Sequence, residues 1–291
     1  MQDILFGTGL IEALQNALSP TFDRLFVFFT ELGGDFAYLA LIGIAYWCWN
    51  KRGAVIAFLV LLMSAYLHHS LKQIMRMERP PPEYRIIGKE TITWGFPSGH
   101  TQNAATFWSW VWLKIRGSWC FALSLTMIFL VGFSRIYLGV HYPGDVIGGI
   151  VIGVLFSISA LKLGQVVGKR LKNPYQLLNQ VAPILALSLL FLNLLIFPDI
   201  ARGDPSPTLG FLFGFPIGVM LEMKYINFST DVSLGTKILR ALMGFSLLAG
   251  LMIILPLLGL GGTYYLRFIR SAMIAFAGAF LVPLLFKAIK R

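Results

Sequence analysis

Apolar residues run along this chain in blocks of about 20 separated by short polar breaks, a length that matches a helix crossing the hydrocarbon core of a bilayer. Nine candidate spans follow, at roughly 22–48, 54–71, 99–114, 119–137, 146–168, 181–198, 207–224, 238–259 and 266–286. The third is short and carries Ser, Thr, Gln and Asn, so it is expected among other helices rather than against lipid. Ahead of the spans, residues 8–18 (TGLIEALQNAL) are apolar at helical spacing but too few to cross. They predict an amphipathic interfacial helix that ends at the Ser19-Pro20 break. The fold class is all-α: a polytopic membrane helical bundle.

The polar breaks organise the rest. Residues 76–98 contain a triple proline and several charges, which excludes lipid-exposed backbone there. Residues 137–145 (YLGVHYPGD) form a short turn, and alternation places both segments and the N-terminus on one membrane face. The stretch KNPYQ (172–176) divides the chain into a front part, 1–172, and a back part of four spans, 173–291. In the back part Gly210, Gly214 and Gly218 recur on one helical face, where small residues let backbones approach closely. They read as packing of this extension against the front part.

Composition agrees with the pattern: 57% of residues are apolar and 13% charged, with a mean hydropathy of +0.74. A net charge of +11 would suggest a nucleic-acid partner in a soluble protein. Here the cations gather in loops between apolar blocks, which excludes that reading and makes them topology signals. Fourteen of the 24 Lys and Arg fall opposite the 76–98 and 137–145 segments: Lys51, Arg52, Lys114, Arg116, Lys162, Lys169, Arg170, Lys172, Lys224, Lys237, Arg240, Lys287, Lys290 and Arg291. The other ten, Arg24, Lys72, Arg76, Arg79, Arg85, Lys89, Arg135, Arg202, Arg267 and Arg270, share the face of those segments, and several of them belong to the chemistry below. The positive-inside rule puts the fourteen in the cytoplasm and the two segments on the extracytoplasmic face of a bacterial or archaeal cell membrane. No basic residue precedes Arg24, so the first span is expected to act as its own targeting signal. Cys48 and Cys120 do not make a disulfide framework.

Three polar clusters on that face carry candidate chemistry. Lys72 is followed after six residues by Arg79-Pro80; Pro97-Ser98-Gly99-His100 opens the short third span; Ser134-Arg135 is followed after five residues by His141 and after three more by Asp145. Lys72, Arg79 and Arg135 are three permanent cations of the kind that grip phosphate oxygens, the arginines bidentately and the lysine as a point charge. Ser98 and Gly99 stand at a helix start, where free N–H groups favour an anion, and Gly99 leaves the backbone open to approach. His141 and Asp145 are four apart, so on a helical turn the carboxylate holds one ring nitrogen and leaves the other as a nucleophile. His100 is then available as general acid for the leaving oxygen. Phosphoryl transfer asks mainly for positioning and charge neutralisation, and this set supplies both with no metal and no cofactor.

The three clusters resemble the signature motifs of the type 2 phosphatidic acid phosphatase superfamily, K-x6-RP, PSGH and SR-x5-H-x3-D, matched at every fixed position over roughly residues 22–170. The resemblance implies a membrane lipid phosphatase. In it His141 attacks phosphorus to give a phosphohistidine, Asp145 orients it and His100 protonates the leaving group. Lys72, Arg79, Ser98, Gly99 and Arg135 bind the phosphate. The partners expected are a lipid phosphate substrate and membrane lipids. Phosphatidic acid, phosphatidylglycerol phosphate and polyprenyl diphosphate all fit, and the oligomeric state is not legible. Two other functions stay open: a phosphotransferase with its acceptor on the extension, and a transporter that grips a lipid phosphate. Binding alone does not need His141 and Asp145, which argues against the transporter. The superfamily's haloperoxidase chemistry suits a nine-span chain poorly.

Other polar residues have plainer readings. His68 and His69, adjacent on a helix, are expected to face different directions, one of them towards the site mouth or the headgroups, with no zinc-like ligand spacing. Glu222 and Lys224 read as side chains snorkelling to the interface. Arg76, Glu78 and Arg85 read equally as a solvated loop or as headgroup contacts, and Trp94 and Phe96 as the lining of a lipid access path.

Overall fold

A computed structural model of the chain describes residues 2–88, 93–197 and 203–289; Lys89, Arg202, Lys290 and Arg291 lie outside them. The described residues are helical throughout the apolar blocks. Two short helices, α1 (Gln2–Phe6) and α2 (Gly9–Leu18), precede α3 (Asp23–Glu31) and α4 (Asp35–Ile44), which continues as a π-helical turn, Ala45–Trp49. Then come α5 (Lys51–Met75), α6 (Gly99–Ile115), α7 (Ser118–Tyr137), α8 (Pro143–Arg170) and α9 (Pro174–Ile196). The chain ends with α10 (Ser206–Tyr225), α11 (Leu234–Leu257), α12 (Tyr264–Phe276), a second π-helical turn (Ala277–Leu281) and α13 (Val282–Ile289).

The helix limits follow local chemistry. Pro174 opens α9 where its missing N–H costs nothing, and Ser233 and Thr263 cap α11 and α12 by accepting from the N–H groups of Thr236 and Leu266. Arg116 ends α6 in the left-handed conformation, with φ +57°. Among the described residues seven helices are long and apolar enough to cross a membrane, and counting the bent pair Asp23–Glu31 with Asp35–Trp49 as one span makes eight. The chain is an integral membrane protein. The expected span missing from that set is the third, α6, whose 17 residues are short of a full crossing and whose polar side chains are buried in protein.

Two compact units share the chain. One is built on Met1–Tyr38 and Met63–Gly164, the other on Leu39–Leu62, Gln165–Ile200 and Asp204–Arg291. This division cuts through α4 and α5, so it differs from the division by motif content at 172/173.

In the first unit α6 is central, as its polarity predicts. Gln102 Nε2 donates to the carbonyl and hydroxyl of Ser64 on α5 (2.9 and 3.1 Å), Thr106 and Ser64 hydroxyls pair at 2.7 Å, and Ser157 of α8 donates to the Thr106 carbonyl at 2.7 Å. The helices come close because Gly149 and Gly153 of α8 face α6. A Cβ at Gly153 would lie 2.6 Å from the Gln102 carbonyl oxygen and 2.7 Å from Ala105 Cβ. The helix read as interfacial, α2, spends its apolar stripe on the protein. Ile11 is fully buried, and Leu14 and Leu18 pack on the cluster of Phe26, Tyr137, Leu138 and Val140.

In the second unit the glycines of α10 do allow close backbone approach, but to α12 and the π-helical turn that continues it, within the same unit. Cβ atoms at Gly210 and Gly218 would meet Ser271 Cβ at 2.9 Å and Ala279 Cβ at 2.7 Å. The snorkelling expected of Glu222 does not occur. Its carboxylate is fully buried, both oxygens 3.0 Å from Lys51 Nζ, and it accepts the Phe228 N–H. Burial forces this pairing, since a lone carboxylate there would be far costlier than a paired one. Lys224 is exposed and stacks over Tyr225. Arg240, counted above among the loop charges, is also buried. It donates to the carbonyls of Trp47 and Ser229 and lies over the Phe286 ring at 4.6 Å.

Candidate active site

The three clusters meet in the first unit at the ends of α5, α6, α7 and α8. The turn after α7 folds back so that the N–H groups of Val140 and His141 reach the Arg135 carbonyl (3.2 and 3.3 Å), which brings His141 beneath its own helix end. Gly139 makes that reversal possible with φ +67°. At the start of α8, Asp145 Oδ2 accepts from the Tyr142 N–H at 3.0 Å and lies 3.1 Å from His141 Nδ1. Both residues are buried.

The tautomer of His141 follows from its other neighbour. Arg79 Nη1 is 3.2 Å from His141 Nε2, and a guanidinium only donates. Nε2 therefore carries the lone pair, and Nδ1–H donates to Asp145. Burial, then the charges of Arg79, Lys72, Arg135 and His100, hold the imidazole well below the ordinary histidine range, so it is neutral at neutral pH. Arg79 is itself fixed by Thr93, with Nε on its carbonyl and Nη2 on its hydroxyl, and by the Val140 carbonyl. Burial pulls it down to about 10, with Asp145 opposing, and it remains charged at neutral pH.

The other two cations are held from behind. Lys72, on the last turn of α5, donates to the carbonyls of Trp94 (2.5 Å) and Gly95 (3.0 Å), just ahead of the PSGH segment. Arg135 Nη1 donates to Thr30 of α3 at 2.7 Å, and its buried Nε has no hydrogen-bond partner among the described residues. Ser98 is fully buried; its N–H reaches the Asp145 carbonyl at 3.0 Å and its hydroxyl pairs with Thr101 at 3.0 Å. His100, the second residue of α6, is partly exposed and close enough to His141 to interact with it electrostatically. All eight residues singled out in the sequence thus lie in one neighbourhood.

Some expectations need revision. His68 and His69 do not diverge: their rings are 4.3 Å apart and inclined by 31°. The buried ring of His68 also takes the space beside Gly99, since a Cβ there would come within 3.0 Å of its Nε2. On that side Gly99 makes room for a histidine and not for a ligand. Arg85 is no solvated loop residue; it is buried, with Nε donating to the Pro80 carbonyl at 2.7 Å. Arg76 and Glu78 are exposed, and Phe96 lies against Gly148 of α8.

Sequence reasoning missed Thr30, Thr93 and Gly95. Gly95 packs on the site from outside: a Cβ there would lie 3.2 Å from Asp145 Oδ2. The one signal for Thr30 is a hydroxyl in the apolar block FVFFT. Among the described residues no three of His, Cys, Asp and Glu gather as a metal-binding set.

The fold and the site define an all-α membrane protein whose buried histidine–carboxylate pair faces a cluster of cations. The chain belongs to the PAP2 superfamily: that superfamily's profile matches residues 53–168, and a second one, described as PAP2 superfamily phosphatase, transmembrane extension, matches residues 207–291. The back part, expected to lie outside the resemblance, is thus itself a piece that the superfamily uses. The chain is 26% identical over 171 residues to lipid phosphate phosphatase delta of Arabidopsis thaliana, covering 53% of this chain and 41% of that protein. It is 29% identical over 227 residues to sphingosine-1-phosphate phosphatase 1 of Rattus norvegicus, covering 73% and 51%. It is also 26% identical over 167 residues to undecaprenyl-diphosphatase of Sulfolobus acidocaldarius, covering 56% and 80%. The chain spans about half the length of the first two.

Proposed function

We propose that this protein hydrolyses a phosphate ester or anhydride on a membrane lipid, without a metal ion, through a phosphohistidine. The observation that carries the reading is the setting of His141, with Nδ1 3.1 Å from Asp145 Oδ2 and Nε2 3.2 Å from Arg79 Nη1, from which the free lone pair on Nε2 follows. A phosphate entering the site competes for the Arg79 donors and frees that lone pair for attack. Arg79, Lys72 and Arg135, with Ser98 and the Gly99 N–H, neutralise the oxygens, and the unpartnered Nε of Arg135 is a donor in waiting. The P–N bond forms as the P–O bond to the lipid breaks, and His100 gives its proton to the leaving oxygen. Water then attacks phosphorus, its proton passing to His100, and the P–N bond breaks to return His141.

Relatives named as phosphatases of a lipid phosphate, of sphingosine 1-phosphate and of undecaprenyl diphosphate support a lipid substrate. The charge distribution supports a site on the extracytoplasmic face of a bacterial or archaeal membrane, with residues 1–172 as catalytic core and 173–291 as its transmembrane extension.

The test is phosphate release by purified protein in detergent with EDTA, across phosphatidic acid, phosphatidylglycerol phosphate and polyprenyl diphosphate, beside His141→Ala. Release that survives EDTA and vanishes in the variant is expected. Release that the variant retains would overturn the mechanism, and release that EDTA abolishes would overturn the metal-free reading.

A further inference from the structure

Within the apolar stripe of α2, Ile11, Leu14 and Leu18, stands one polar residue, Gln15, a turn on from Ile11. A carboxamide in that position needs partners. Gln15 Nε2 has two hydrogens and places them on two backbone carbonyls, of Tyr84 and Tyr137, each at 2.8 Å. Those carbonyls belong to different segments. Tyr137 ends α7 and is four residues before His141; Tyr84 lies in the turn after Arg79-Pro80.

The same two segments also meet beside Gln15. The Ile86 N–H donates to the Leu138 carbonyl at 3.1 Å. Gly139 packs so closely that an added Cβ would collide with the Tyr84 carbonyl and come within 3.2 Å of Gln15 Nε2. The Tyr137 hydroxyl donates to Asp23 at 2.5 Å, and the Phe6 ring fills the space over Gly144. The nucleophile loop is therefore gripped on its outer side by residues 6–23 as well as by the Tyr84–Ile86 strip. The N-terminal grip lies outside the three motifs and outside the superfamily match at 53–168.

We propose that Gln15 is a positioning residue for His141: its two N–H donors lock the Tyr84 turn to the 137–141 loop and so fix the direction of Nε2 between Asp145 and Arg79. This rests on the histidine mechanism above. It predicts that donors, and not volume, matter at position 15. Leu keeps the bulk without donors, Glu is isosteric but turns acceptors on two carbonyls, and Lys keeps N–H donors on a similar reach.

The experiment uses the full chain in detergent with EDTA and short-chain phosphatidic acid as substrate, measuring kcat, KM and inhibition by inorganic phosphate. Gln15→Leu and Gln15→Glu are expected to lower kcat about tenfold or more, with KM and phosphate inhibition within about twofold, because a misplaced nucleophile slows the step while the cations still bind. Gln15→Lys is expected to stay within about threefold of the natural chain. Full kcat in Gln15→Leu, a change in KM alone, or a loss in Gln15→Lys as deep as in Gln15→Leu would overturn the proposal. Should Gln15→Leu not fold, the contrast of Glu with Lys decides alone. His141→Ala, run beside them, separates the two claims. Turnover in that variant removes the mechanism; a dead His141→Ala with a fully active Gln15→Leu removes only the positioning role.

Discussion

Two helix seams in this molecule are closed by the same device and filled differently. On α8, Gly149 and Gly153 bring the backbone onto α6; on α10, Gly210, Gly214 and Gly218 bring it onto α12. The α6 surroundings are threaded with hydrogen bonds among Ser64, Gln102, Thr106 and Ser157. At the α10 seam the polar residues are few, Ser206 and Ser271, and the buried charge of α10, Glu222, is paired with Lys51 one turn beyond Gly218. Polar groups inside a membrane protein are costly unless satisfied, so a helix that carries many of them serves more than packing. What α6 presents at its end is the Ser98–His100 segment, and its hydrogen bonds fix where that end points. The α10 seam shows that close packing alone needs only small residues.

The comparison predicts that damage at the first unit's site changes rate, while damage in the second unit changes stability. The largest effect is expected for Asp145→Asn, which lets the imidazole adopt the wrong tautomer. kcat should fall on the order of 10³- to 10⁴-fold, as removal of an orienting carboxylate does elsewhere, with thermal unfolding little changed. A large loss of stability in place of rate would break the comparison. Next comes Lys51→Met, which leaves Glu222 buried and unpaired. Unfolding in detergent should become easier by about 3–5 kcal/mol, and the double change with Glu222→Gln should recover most of it, with turnover per folded molecule intact throughout. Gly153→Ala, facing backbone atoms that cannot move aside, should cost about 1–3 kcal/mol and slow turnover through α6. Gly164→Ala, on the same helix but with nothing within 4 Å, should be neutral or gain about 0.5 kcal/mol.

The smallest effect concerns pH. His141 is held below its unfolded value by burial first and neighbouring cations second. The folded site thus binds fewer protons than the unfolded chain. Its contribution to stability is present in full above about pH 6.5 and is lost as pH falls below that. In a pH profile of kcat/KM, the acid limb that belongs to His141 should therefore lie below about 6.5; a limb above it would mean a charged resting imidazole.

How much of this was legible in the chain depended on range. Helix class, apolar blocks and the eight candidate residues could be read directly, because hydropathy and motif spacing are local. The burial of α6 could be read as well, since polar residues in a short apolar span have few other places to go. Reading failed where one residue's partner is distant in sequence. Glu222 resembled any carboxylate at a span edge until Lys51, 171 residues away, met it. Gln15 sat in an amphipathic stripe that suits a membrane surface as well as it suits Tyr137. Gly99 gave no hint of its neighbour, and only the fold put His68 beside it.

The sequence by itself determined that this is a membrane helical bundle, and it marked a histidine, a carboxylate and three cations as candidates for phosphate chemistry. Chain composition and short spacings are enough to set both. Tertiary structure alone decided which nitrogen of His141 is free, which side chains hold the cations from behind, and that the N-terminal helix packs on the 137–141 loop. Each of these depends on hydrogen bonds between residues far apart in the chain, and a donor's partner is chosen by where the folded helices bring the acceptor.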